Sequence, residues 1–505
     1  MGHLWVIGRF APRARRLRFL ACARMEHPRR RRVLAGLTAG LAALVGFTVG
    51  TAAVAAPAET GAWAVERSAT AKVADLVGAG SINDTGARYG VEGTDLGHMF
   101  MVGPRMAMTF GDTFGAPAAK NFFSVPHTDW RSNVIASIDP PASPANGLSF
   151  KGMITDRGGH AKELIPSQKR KGVQETVIPT YGIATGAKNT TMNLQYMSVQ
   201  SFDRPGHWRL TGAGMVTSTD GGTTWTDSGA RWAADSKFGQ VAYVRPGGPD
   251  DPASPVEAGT APGSQIYVYG IPGGRYGDLS LARVPAEKLT DTTAYRYWNG
   301  TDWVAGEANA VPVVKGPVGE LSVRWNAYYQ RWIMMYLVDD TGEVVLRTAT
   351  TPTGPWTPAQ VVTTTKEFPQ AYAPYLTPRW NDGPDIWFTM SQYTTYRVEL
   401  MKTRLTPLAA GAPLPAAVVP QSAPARSASL SAPGFRSAVP APETSTPMPS
   451  STPPATTTPV TTPAAPTSQA PSTTAAAPAA APAATTTPPT IDTASPEPAD
   501  ETTPP

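Results

Sequence analysis

Cysteine is almost absent from this chain. Its 505 residues contain one, Cys22, so a disulfide framework is excluded and thiol chemistry has no candidate beyond the N-terminal segment. Histidine is scarce too. His98, His127, His160 and His207 are scattered without metal-ligand spacing. No metal or other cofactor is expected, although a lone Ca²⁺ in a channel would leave no trace in the sequence. Amphipathic helical periodicity is nearly missing. No Gly-x-Ser-x-Gly elbow or phosphate-binding loop occurs in a fitting context, and glycine-rich Gly270-Ile-Pro-Gly-Gly-Arg275 lacks the lysine and following helix that a nucleotide site needs. A basic excess is also absent once the chain is divided. Residues 1–56 hold 10 of the 43 Lys+Arg and one of the 38 Asp+Glu, leaving 33 basic against 37 acidic side chains, a formal charge of −4. The remainder therefore gives no support to a nucleic-acid partner.

The two ends differ from the middle. Arg29 to Arg32 precede an uncharged run, Val33 to Val49, and then Ala53-Val54-Ala55. That order reads as a secretory signal over residues 1–56, with Met25 as an alternative start. The run is short for a membrane span, and an uncleaved anchor is the other reading. The expectation is a protein that is secreted or held at the cell envelope, with no membrane span in its mature form. From 406 to 505 the chain is Pro, Ala, Thr and Ser, with 24 of the 52 prolines and no Trp or Tyr. Such a segment cannot bury enough apolar surface to offset its ordering entropy and reads as a disordered tail.

Residues 60–405 hold 12 of the 13 tryptophans. No Pro/Ser-rich linker divides them, which points to one domain and, as the expectation, a monomer. Short strand-like runs recur, such as Gln265 to Tyr269, Trp332 to Val338 and Ile386 to Met390, separated by Gly, Pro, Asn and Asp. That spacing means a sandwich, barrel or propeller. Ser218-Thr-Asp220-Gly-Gly222-Thr-Thr224-Trp225 matches the Asp-box, a hairpin whose aspartate satisfies turn amides while the Trp packs beneath. Asp-boxes are commonest in propeller blades, away from the active face, so Asp220 is read as structural. Length suits five or six blades. The expectation is all-β: a five-bladed β-propeller followed by the tail.

What chemistry the middle supports rests on carboxylates. Asp95 and Asp112 bracket two apolar runs, Leu96 to Val102 and Met106 to Phe110, around Gly103-Pro104-Arg105. A hairpin centred on that turn sets the two aspartates side by side at its open end. Like charges facing each other across a strand pair are destabilising, and two carboxylates with divergent pKa values are the working parts of a glycosidase. The plainer reading is two aspartates capping turn amides. Glu175 and Glu320 are candidates for a third acid near the axis, whereas Asp278 and Glu399 read as strand-edge partners of Arg or Lys. Trp130, Arg131 and Asn133 carry a ring and forked donors suited to a sugar, although Arg131 could equally pair with Asp129 or Asp139.

Gly-Thr-Asp95-Leu-Gly, Phe-Gly-Asp112-Thr-Phe-Gly, Trp130-Arg131-Ser-Asn133, Gly-Arg275-Tyr276-Gly, Trp325-Asn-x-Tyr and Ala-Pro374-Tyr-Leu-Thr-Pro together resemble a family of exported actinobacterial domains. That family was long of unknown function and is now classed as endo-D-arabinanases. The resemblance covers roughly residues 75–405. It implies a five-bladed propeller with an acidic central pocket and hydrolysis of D-arabinofuranosyl linkages in the cell-wall arabinan of arabinogalactan and lipoarabinomannan. It also implies Asp95 and Asp112 as the catalytic acids. The expected substrate-binding residues are Trp130, Arg131, Asn133, Glu175, Arg275, Tyr276, Glu320 and Trp325. A non-catalytic glycan-binding propeller is the alternative. A sialidase, suggested by the Asp-box alone, lacks its arginine set here.

Overall fold

A computed structural model describes residues 62–115, 122–124 and 127–409. The expected leader, and all but the first residues of the expected tail, lie outside them. The described chain is a five-bladed β-propeller with a single α-helix, Thr85–Tyr89, and a few 3-10 turns.

Each blade is an antiparallel meander whose first strand lies innermost. These first strands are Gly93–Val102, Thr176–Thr185, Gln240–Val244, Leu321–Asn326 and Ala371–Leu376. Each touches the first strands of both neighbouring blades, closing a ring. They are buried almost throughout, because both faces are covered by protein. The outer strand of the second blade, Thr226–Trp232, faces water and alternates accordingly.

The ring is fastened by the ends of the described chain. Trp63–Val65 and Ala71–Asp75 both pair with the last strand, Arg397–Pro407, in the registers Trp63↔Pro407 and Ala71↔Lys402. The N-terminal segment thus covers the edge of the fifth blade, which would otherwise expose unpaired backbone groups. The last strand ends at Pro407.

Apolar side chains fill the spaces between blades. Met99, Met108, Phe110, Trp387, Val398 and Leu400 pack between blades one and five. Phe100, Ile135, Val177 and Leu194 pack between blades one and two. A large continuous core, including Tyr243, Tyr269, Trp325 and Trp332, joins blades two to five.

Candidate active site

The hairpin turns where its sequence says it should: Val102 pairs with Arg105 around Gly103-Pro104. At the open end Gly93 pairs with Phe114 and Thr94 with Thr113, so the same register holds at both ends. Between them the ladder is disturbed. Gly111 and Asp112 together oppose Asp95, and Gly97 is the compensating extra residue on the other strand. Leu96 takes φ 67°, a left-handed conformation that is strained for a leucine. A β-bulge re-aims side chains; here it lies at the two acids. Gly111 is required beneath it, since a Cβ there would stand 2.4 Å from Asp95 Oδ1.

The two carboxylates have different surroundings. The hydroxyl of Tyr372, on the first strand of blade five, donates to Asp95 Oδ2 at 2.9 Å, while Asp95 Oδ1 is buried without a partner. Burial, then the nearby Asp112 charge, pushes the Asp95 carboxyl up to about 8, against the lowering effect of the Tyr372 hydroxyl. Asp112 is 2% exposed. Its Oδ1 accepts from Trp130 Nε1 at 2.8 Å and from the Thr176 hydroxyl at 2.5 Å. Burial raises it only to about 6, because those two donors and the Lys169 ammonium favour the anion. Of the two, Asp95 is thus the one its surroundings favour as the protonated acid, and Asp112 the one they favour as the anion.

Opposite the pair, Arg275 anchors a second group of charges. It forks onto Glu320 with contacts of 2.8–3.1 Å and reaches Asp339 Oδ1 at 3.0 Å. Its guanidinium also lies 5.0 Å over the Tyr372 ring and 5.4 Å over that of Trp208. Tyr276 donates to Asp339 Oδ2 at 2.9 Å and stacks on His207 at 4.2 Å. Glu320 is buried and its charge is felt at Asp95.

Other expected binding residues are committed to structure. Arg131 is 6% exposed and donates to the carbonyls of Gly90, Ala161 and Asp129, with Asp129 Oδ2 at 3.1 Å. It staples loops and has no fork to offer a sugar. Asn133 is fully buried and uses both ends of its amide, accepting from Leu164 and Ile165 and donating to Ile165 and Val177. Trp325 is a core residue packed edge-on against Trp332 at 5.4 Å. For Arg131 and Asn133 the motif lies beside the site but the side chain turns inward, whereas Trp325 lies toward the far end of its strand from Glu320, next to the turn into the second strand. Glu175 is 3% exposed, carries an unpartnered Oε2, and is pushed up by burial. Its charge is felt at Asp112. Trp130 remains part-open beside Asp112 and stacks on Phe114. Asp278 and Glu399 are strand-edge partners of Lys315 and Lys72.

The site occupies one face. It collects the beginnings of the first strands and the connections between second and third strands. Those connections supply Trp130, Gly206-His207, Arg275-Tyr276, Asp339 and Tyr393 to Tyr396. Tyr372, Thr176, Lys169 and Asp339 were not picked out by sequence reasoning. The one available signal was for Tyr372, two residues before the Pro374 motif. The Asp-box joins the third and fourth strands of blade two, on the opposite face. There Asp220 accepts from the amides of Thr223 and Thr224 and the hydroxyls of Ser218 and Thr224. Among the described residues no helix is long and apolar enough to cross a membrane, and no group of three His, Cys, Asp or Glu is placed to hold a metal ion.

A family model described as a domain of unknown function, DUF4185, matches residues 80–402. The notoamide biosynthesis cluster protein J of Aspergillus sp. (strain MF297-2) is 29% identical over 298 residues, 56% of this chain and 74% of the relative. Protein J′ of the corresponding cluster in Aspergillus versicolor is 28% identical over 333 residues, 63% and 85% of the two chains. Among solved structures, the α-L-arabinofuranosidase PaAbf62A of Podospora anserina, in complex with cellotriose, aligns with a TM-score of 0.34 at 11% identity, over 69% of this chain and 98% of that one.

Proposed function

We propose that this chain, which belongs to the DUF4185 family, is an exported glycoside hydrolase that cleaves D-arabinofuranosyl linkages within cell-wall arabinan. The observation that carries the hydrolase reading is the pair of aspartates on one bulged hairpin with unlike partners, Tyr372 at Asp95 and Trp130 with Thr176 at Asp112; burial pushes Asp95 up to about 8 and Asp112 only to about 6. Glycoside hydrolysis asks for one carboxylic acid and one carboxylate flanking the scissile bond. Asp95 gives its proton to the leaving glycosidic oxygen as the bond to the anomeric carbon breaks. Asp112, anionic and held by Trp130 and Thr176, attacks that carbon or takes the proton of the water that does. Trp130, part-open beside Asp112, borders the sugar on one side, and Tyr276 with Arg275 lines the other. The arabinan substrate rests on the sequence resemblance. The fungal relatives are named for a biosynthetic cluster, so substrate is argued from this chain's own motifs.

The test is reducing-end release from purified mycobacterial arabinogalactan. The wild type should release oligosaccharides, and Asp95→Asn and Asp112→Asn should each lose at least a hundredfold while remaining folded. Near-normal release by either variant refutes the assignment. Binding of arabinan without release would establish the non-catalytic alternative instead.

A further inference from the structure

We propose that Lys169 is a positioning residue for Asp112, the charge that keeps this carboxylate anionic through a hydroxyl chain and through the ring of Trp130. The inference rests on the reading of Asp112 as the charged partner of the pair. Lys169 lies in the loop between blades one and two, within the unremarkable run Gln168-Lys-Arg-Lys171. Its backbone adopts φ 53°, unusual for a lysine. Strained φ values persist only where the surroundings hold them.

What holds Lys169 is a connected set of contacts. Its ammonium donates to Ser132 Oγ at 2.5 Å, to Ser167 Oγ at 3.0 Å and to Glu163 Oε1. Ser132 Oγ lies 2.8 Å from Thr176 Oγ1, which lies 2.5 Å from Asp112 Oδ1. Thr176 has one hydroxyl hydrogen, and the ionised Asp112 can only accept. The hydrogen between the two hydroxyls therefore belongs to Ser132. Every donor in the chain then points from the ammonium toward the carboxylate, the polarisation that strengthens such networks in a low-dielectric interior. Ser132 and Thr176 are fully buried, so water does not compete. The second route is shorter. The ammonium sits 5.0 Å over the Trp130 ring, whose Nε1 donates to the same Asp112 Oδ1; a cation over the ring face makes the indole N–H a stronger donor.

Other charges face the same carboxylate. Asp95 stands across the hairpin and Glu175 lies just before the first strand of blade two; both oppose a negative Asp112. Tyr396 of blade five also feels its charge. Arg131 is adjacent in sequence to Ser132 but directs its guanidinium to Gly90, Ala161 and Asp129. Lys171 acts on Glu175. Among the described residues Lys169 is thus the cation whose contacts lead to Asp112, and Glu163 is its counterion.

The experiment follows the Trp130 indole N–H resonance of the ¹⁵N-labelled protein against pH, assigned with Trp130→Phe. This resonance should report Asp112 ionisation with a midpoint near 6. Lys169→Met should move the midpoint up by about one pH unit, and Lys169→Arg should leave it within a few tenths of the wild type. Glu163→Gln removes an opposing negative charge and should move it down. A merely structural loop would shift both charge-altering variants the same way. An unmoved midpoint in Lys169→Met, a common direction for the two, or a titration that survives Asp112→Asn overturns the proposal. If Lys169→Met fails to fold, Glu163→Gln decides alone by its direction. The readout needs no substrate. Absence of arabinan cleavage by the wild type would sink the hydrolase reading and leave the midpoints standing, whereas unmoved midpoints in an active enzyme sink only the role of Lys169.

Discussion

Replacing Asp95 by Asn should make the protein more stable, and more so as the pH rises. Asp95 is held at about 8 in the folded chain, against 3.8 for an unhindered aspartate. Below about pH 4 the carboxyl is protonated in both states and adds no penalty. Between pH 4 and 8 the unfolded chain releases the proton while the folded chain keeps it, so stability falls as pH rises and levels off above 8. One pKa unit corresponds to about 1.4 kcal/mol. The destabilisation is thus on the order of 2 kcal/mol at pH 5 and on the order of 4 kcal/mol at pH 7. Asparagine keeps the carbonyl that accepts from Tyr372 and removes the titrating charge. The assay is urea unfolding of wild type and variant at pH 5, 6 and 7, with equal m-values confirming the same transition. The gain of the variant should grow by about 2–3 kcal/mol over that interval. A constant gain, or a variant less stable at pH 7 than at pH 5 relative to wild type, would refute the argument that Asp95 is kept protonated by its surroundings.

Three further outcomes are expected. The pH profile of kcat/KM on arabinan should be bell-shaped with limbs near 6 and 8, which belong to the coupled pair, and activity should fall about tenfold at pH 5 and pH 9 relative to pH 7; Tyr372→Phe, by removing a donor that favours ionised Asp95, should push the alkaline limb upward, and a downward move would contradict that role. Arg275→Met should destabilise by roughly 3–5 kcal/mol because it leaves Glu320 buried and unpaired, while the double substitution Arg275→Met with Glu320→Gln should recover much of the loss; a double variant no better than the single one in chemical denaturation would show that the pair is not coupled.

Much of this was legible in the chain because it is local. The turn at Gly103-Pro104 fixes its own register, so the pairing of Thr94 with Thr113 and the proximity of Asp95 to Asp112 follow from counting. The Asp-box is equally local, and Asp220 is satisfied within five residues of itself. What was not legible depends on which side chain turns inward and on partners far away in sequence. Trp130-Arg131-Ser132-Asn133 reads as a run of polar and aromatic sugar ligands. Yet strand alternation and the buried carbonyls of Gly90, Ala161, Ile165 and Val177 claim Arg131 and Asn133, leaving Trp130 at the site. Ser132 looked like filler and lies in the path to Lys169. Tyr372 meets Asp95 across 277 residues, where the fifth blade closes onto the first, and Arg275 meets Asp339 across 64, where the third blade packs beside the fourth.

The hairpin alone cannot account for an acid and a base. Two aspartates opposed on one strand pair would, by symmetry, share one environment and titrate as equivalents. The asymmetry comes from what flanks the first blade on either side. Toward blade five Asp95 meets the field of Glu320, and one of its oxygens has no partner; with burial these outweigh the Tyr372 donor and favour the neutral acid. Toward blade two Asp112 meets Thr176, Trp130 and Lys169, which favours the anion. The bulge at Gly111-Asp112 is what lets the side chains part toward these different neighbours while staying close enough for each charge to be felt by the other. A propeller suits this division, because each innermost hairpin is clasped between two unlike blades. Proximity is thus set by the sequence of a single hairpin, and the direction of proton transfer by the two blades beside it.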